Sequence, residues 1–162
     1  MNVLRAIYGT RWVVLPPLAA VGTTTKADLM QQIDLNLVTA FLSCRAAVNA
    51  MTRTGKGGRI VNVAARPALE WRSGAGMTAY TASKAAVAAL TVALAEEVVK
   101  AGILVNAVAP SIMDTPTNRA AMPQADHSAW PKLEEVAATI LFLASPDNKV
   151  TRGSVVPVYG RS

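Results

Sequence analysis

The sequence predicts an α/β fold, a small parallel sheet of three or four strands with helices on its faces. Two observations carry that prediction. Short β-branched runs, set off by glycine or proline, alternate with long stretches whose apolar residues recur at helical spacing. Their order is helix, strand, helix, strand, loop, helix, strand, which suits strands laid parallel with crossover helices packed on the sheet.

Between residues 26 and 51, Leu29, Ile33, Leu37, Phe41 and Val48 recur at helical spacing, with Met30, Val38 and Leu42 as a second row. This predicts a long helix with a wide apolar face. Thr24 or Thr25 would cap its start, and the cluster Thr54-Gly55-Lys56-Gly57-Gly58 would end it. The run over 59–64 follows glycines and reads as a buried strand. Residues 65–77, with Pro67, Gly74 and Gly76, read as a loop. A second long helix is predicted over 78–100, where Ala85, Ala86, Ala89 and Ala93 would let another backbone approach closely, and Gly102 stops it. Residues 103–108 form the next buried strand, and Pro110 marks its end. The polar segment that follows, with Pro116, Pro123 and Pro131, is too long for a plain connection and is expected to be a lid or binding loop. A helix over 132–144 and a strand over 154–158 complete the order. No internal repeat or low-complexity linker interrupts it, so residues 1–162 read as one domain.

Composition narrows the function classes. The 162 residues are 52% hydrophobic and 16% charged, against about 25% charged in ordinary soluble domains. This shortage predicts apolar surface that something else covers. No uninterrupted apolar run approaches the ~18 residues that would span a bilayer. Pro16 and Pro17 cut short the apolar stretch after Arg11, unlike a signal peptide, so the cytosol is the expected compartment. Cys44 is the single cysteine and His127 the single histidine, so neither an internal disulfide nor a metal site is expected. The net charge is +6, and its excess lies in residues 1–81, with nine Lys/Arg against three Asp/Glu. Arg45, Arg53, Lys56, Arg59, Arg66 and Arg72 could attract phosphates or an acidic partner, or form a solvated rim. No aromatic residues interleave with them, so nucleic acid is not an expected partner.

The most informative residues for chemistry are Tyr80 and Lys84, four apart on the second long helix. At that spacing both side chains leave one face, about 6 Å apart. An ammonium near a phenol favours the phenolate and lowers a pKa of about 10, which makes a tyrosine usable as an acid and base near neutrality.

Four stretches then carry a resemblance to the short-chain dehydrogenase/reductase family. They are Gly57-Gly-Arg-Ile-Val-Asn-Val63, Tyr80-Thr-Ala-Ser-Lys-Ala-Ala-Val87, Val105-Asn-Ala-Val-Ala-Pro110 and Leu143-Ala-Ser-Pro-Asp147, in the family's order and spacing. The resemblance implies a partial Rossmann-like fold, Tyr80 as catalytic acid/base, and Lys84 as the residue that tunes it and holds the cofactor ribose. Asp34-Leu-Asn-Leu37 is similar to the family's helix segment whose asparagine supports a proton-relay water, which adds Asn36. The implied cofactor is NADH or NADPH, with Pro110, Ser111, Ile112 and Thr115 beside the nicotinamide. Residues 114–130 resemble the substrate loop of the dihydropteridine reductase branch. Ala64 and Ala65 stand where most of the family carries serine, another feature of that branch, and Ser73 or Ser111 could substitute for the missing hydroxyl.

The resemblance spans residues 26–160 and matches the second half of such an enzyme. Residues 1–25 are atypical, with 12–15 as a remnant of one more strand. The family's Gly-x-x-x-Gly-x-Gly does not occur in this sequence, and Gly9 and Gly22 are too far apart to replace it. Weak cofactor binding is therefore expected. The long helices predict a homo-oligomer, since the family commonly builds a four-helix interface from them. The substrate would be a small molecule. Two other readings stay open: a cofactor-free binding or assembly module, and a non-redox enzyme such as a hydrolase using the Tyr80/Lys84 pair.

Overall fold

The computed structural model describes residues 5–7 and 19–162. The strand expected over 12–15 lies outside the described residues. Four parallel strands stand in the order β1 (Arg5–Ile7), β2 (Gly58–Val63), β3 (Ile103–Pro110) and β4 (Val155–Val158).

The first long helix is one continuous rod in three parts: α1 (Lys26–Gln32), a π-helical stretch (Ile33–Val38) and α2 (Thr39–Thr54). Thr25 and Asp28 close a capping box at its start, and Gly55 in the left-handed region, with φ of 64°, ends it. The second is α3 (Thr78–Glu97), followed by a 3-10 turn (Val99–Ala101) and Gly102. The expected loop over 65–77 instead holds two 3-10 turns, Arg66–Ala68 and Trp71–Gly74, the first started by Pro67. After β3 come α4 (Pro116–Ala121), a 3-10 turn (His127–Ala129) and α5 (Leu133–Ala144).

Alternation along β2 divides the core between the two faces of the sheet. Ile60 packs with Ile103, Val105, Cys44, Met51 and Ala95 under α2 and α3. Val61 and Val63 point the other way and pack with Val108, Leu143 and Ala144 under α5. Asn62, back on the helix side, donates to Thr91 Oγ1 on α3 at 2.9 Å and accepts from the Cys44 thiol. The Cys44 thiol pKa is pushed up by burial.

The first rod faces the sheet with a stripe other than its most apolar one. Gln32, Asn36, Ala40, Cys44, Ala47 and Met51 are buried, whereas Met30, Phe41 and Leu42 stay about half exposed. Among the described residues, α3 is the helix long and apolar enough to cross a membrane by length and composition, with Lys84 interrupting its apolar run. It buries Ser83, Lys84 and Thr91 against the rest of the fold.

Candidate active site

At the carboxyl ends of β2 and β3 the chain encloses a cavity of about 520 Å³. Val63, Ala64 and Ala65 form its wall on one side, and Pro110, Ser111 and Ile112 form it on the other. This is where parallel sheets bind ligands, because the strands hand over to loops there. Tyr80 and Lys84 enter from the first turns of α3, and Asn36 enters from the π-helical stretch.

Lys84 is only 4% exposed, and its Nζ donates to the Val63 carbonyl at 3.0 Å. Burial lowers its pKa to about 8. The Nζ lies 5.9 Å from the centroid of the Tyr80 ring. Burial also pushes the Tyr80 phenol up to about 12. The phenol was expected to fall under the influence of the ammonium. Desolvation decides the sign instead, because Tyr80 is half-buried beside the buried Lys84, whose ammonium is itself destabilised.

Asn36 ties the two helices together at this point. Its Nδ2 donates to the Gln32 carbonyl at 3.1 Å and to Ser83 Oγ at 3.0 Å, and Ser83 Oγ donates to the Tyr80 carbonyl at 2.8 Å. The bond to Gln32 is the neighbouring-carbonyl contact any helix-interior amide can make, whereas the bond to Ser83 is tertiary. A side-chain amide that competes for a helix carbonyl loosens the local ladder, in keeping with the π-helical turn around it.

The segment over 111–133 lies against the cavity and is locally braced. Thr115 Oγ1 accepts from the Asn118 N–H to cap α4, and Asn118 Nδ2 donates to the Met113 carbonyl at 2.8 Å. Arg119 donates twice to Asp114, at 2.5 and 2.8 Å, which holds that carboxyl below its usual range. His127 bonds the Met122 carbonyl through Nε2 at 2.8 Å and leans on Trp130, ring centroids 4.6 Å apart.

Tyr80, Lys84, Asn36, Pro110, Ser111, Ile112 and Thr115 all line this one cavity. Ser73 and Ser111 line it too, but Ser73 Oγ donates to the Glu70 carbonyl and Ser111 Oγ to the Tyr159 carbonyl. Arg66, Met77 and Leu133 belong to the wall without having been expected there. Of these only Arg66 carried a signal in the sequence, as a member of the basic cluster. Ser83 sits inside the Tyr80-to-Lys84 stretch, where its i+3 spacing from Tyr80 was the available clue.

A family model described as enoyl-(acyl carrier protein) reductase matches residues 14–160. The chain belongs to the short-chain dehydrogenase/reductase family. It is 40% identical over 150 residues to (2S)-[(R)-hydroxy(phenyl)methyl]succinyl-CoA dehydrogenase subunit BbsD of Thauera aromatica, covering 87% of this chain and 58% of that one. Acetoin dehydrogenase from Enterobacter cloacae superposes with a TM-score of 0.77 at 33% identity, over 88% of this chain and 57% of that one. 4-Hydroxyisoleucine dehydrogenase complexed with NADH superposes with a TM-score of 0.78 at 26% identity, over 88% and 63%. This short-chain dehydrogenase/reductase chain spans little more than half the length of the curated relatives it matches.

Proposed function

We propose that the chain acts as an NAD(P)-dependent oxidoreductase on a small molecule, with Tyr80 exchanging a proton with the substrate oxygen. The observation that carries this reading is the meeting of Tyr80, buried Lys84 and the Asn36–Ser83 link in one cavity. The family membership and the NADH named with one structural relative support it.

The nicotinamide, when bound, supplies or accepts the hydride. The chain's share is the proton: Tyr80 gives it to the oxygen in reduction and takes it back in oxidation. Burial pushes the phenol up to about 12, so Tyr80 carries its proton at neutral pH. Lys84, anchored on the Val63 carbonyl, would hold the ribose and tune the phenol. Asn36 would hold the relay water and, through Ser83, fix the turn that carries Tyr80.

The lining fits the ribose and nicotinamide half of such a cofactor, with Lys84 and residues 110–115 in reach of it. Among the described residues no glycine lines the cavity, so the pyrophosphate finds no backbone cradle there. Each lost charge-assisted hydrogen bond is worth about 1.5–3 kcal/mol, so this chain should bind the cofactor weakly. Separate calorimetric titrations of NADH and NADPH, with and without a quinonoid dihydropterin, test the reading. Weak, saturable binding is expected, micromolar binding would place the pyrophosphate in a grip not yet recognised, and no binding at millimolar cofactor would overturn the oxidoreductase reading.

The substrate reading includes a dihydropteridine reductase-like branch. Ala64 and Ala65 put no hydroxyl at the end of β2, and a quinonoid dihydropterin does not need one as a ketone does. The half-exposed Met30, Phe41 and Leu42 support self-association through the first rod. Sedimentation of a stable monomer at micromolar concentration would exclude it.

A further inference from the structure

The cavity wall carries a second cation whose task the proton chemistry does not explain. Arg66 stands directly after the buried Ala65, at the start of a 3-10 turn beyond the end of β2. Its Nε donates to Glu70 Oε2 at 2.7 Å, and the guanidinium lies 4.9 Å from the centroid of the Tyr159 ring. These two contacts fix the plane of the fork. They leave both Nη atoms without a hydrogen bond among the described residues. Arg66 belongs to the cavity wall, whereas Glu70 and Tyr159 do not. No Asp or Glu lines the cavity among the described residues.

Around Arg66 the wall is largely apolar, with Pro67, Met77, Ile112 and Leu133 suited to a carbon skeleton. The other cation, Lys84, is already engaged by the Val63 carbonyl. A planar fork held in place with two unused donors matches a carboxylate, which it can grip bidentately. We propose that Arg66 is the anchor for a carboxylate on the substrate, so that the site takes a small molecule with an anionic group away from its reacting centre, in place of a neutral dihydropterin. This deepens the oxidoreductase reading and rests on it for the word substrate. The anion site itself does not depend on hydride transfer.

Binding therefore tests it separately from turnover. Levulinate, a ketone with a distant carboxylate, and its neutral amide are titrated into the chain by ligand-observed NMR, with NADH binding followed in the same samples. Levulinate should bind about tenfold more tightly than the amide, the size of one charge-assisted interaction. Arg66→Gln should bring the two within about twofold of each other, and Arg66→Lys should restore part of the gap. Because Arg66 also braces the turn through Glu70, a second variant isolates the charge. Glu70→Gln removes the internal competitor and should tighten levulinate binding.

Equal binding of the two compounds, a gap that survives Arg66→Gln, or tighter binding of inorganic phosphate than of levulinate would each overturn the proposal. An intact preference without any NADH binding would support the anchor and sink the oxidoreductase reading. NADH binding with no preference for levulinate would do the reverse.

Discussion

The two ends of the β2 and β3 pair behave in opposite ways although one register, from Gly58↔Ile103 to Val63↔Val108, runs through both. At the amino ends the backbones touch. A Cβ on Gly57, whose φ is +67°, would lie 2.4 Å from the Gly102 carbonyl oxygen, and Met51 fills the space over Gly58. At the carboxyl ends the chains part around a cavity of about 520 Å³ and bury Lys84 and Asn36 at its wall. One end is shut by the absence of side chains, and the other opens on a cavity with buried polar groups in its wall. Packing at the shut end fixes the strands, so the open end can carry polar groups at a cost in stability without losing its geometry.

The sharpest test of this division is Tyr80→Phe. If the open end carries the chemistry, the rate of hydride transfer should fall about 10²- to 10⁴-fold, the usual size of a lost acid/base group. Thermal stability should move by no more than about 1 kcal/mol, since only a hydroxyl is removed. Steady-state kinetics beside thermal unfolding reads both, and retained activity would move the proton chemistry to another residue.

Gly57→Ala should do the reverse at the shut end. The new Cβ meets a backbone oxygen that cannot rotate away, and the left-handed φ strains any other residue. A loss of about 2–4 kcal/mol is expected from clash and strain together. Urea denaturation measures it. A loss below about 1 kcal/mol would mean that this end yields more easily than its contacts imply.

Proton linkage probes the open end by pH. Lys84 has a folded pKa of about 8, below its ordinary 10.5, so between those values the unfolded chain binds more protons and stability rises with pH. Tyr80 is shifted the other way, from 10 to about 12, so above pH 10 its linkage lowers stability. The melting temperature should climb from pH 8 towards 10 and then turn over. Lys84→Met should abolish the climb while leaving the fall, and an unchanged climb would assign it to another group.

Local chemistry explains what could be read ahead of the structure. The cap at Thr25, the stop at Gly55 and the pairing of Tyr80 with Lys84 depend on residues at most four apart, and motif order placed the parallel sheet. What escaped was tertiary. The sheet-facing stripe of the first rod contains Gln32 and Asn36, which no count of apolar positions would select, because their partners lie across the helix interface or along the rod. The π-helical turn hides in Ile33–Val38 for the same reason, as its residues suit an α-helix equally well. The upward shift of the Tyr80 phenol needed the depth of burial, which spacing alone does not contain.

The smallest expected effect comes from Thr81, next to Tyr80 on α3. Its Oγ1 is buried and has no hydrogen-bond partner among the described residues. Gly74 leaves room for it, since a Cβ there would lie 2.0 Å from that oxygen. An unsatisfied buried hydroxyl costs about 1–3 kcal/mol, and valine has nearly the same shape and a similar helix propensity. Thr81→Val should therefore stabilise the chain by about 1 kcal/mol, part of that sum being returned because a methyl is larger than a hydroxyl. A gain in denaturation free energy would show that the open end, unlike the shut one, retains a polar group its packing does not satisfy. A loss would show instead that threonine is selected by the close fit beside Gly74, making this corner of the open end as tightly closed as the contact between Gly57 and Gly102.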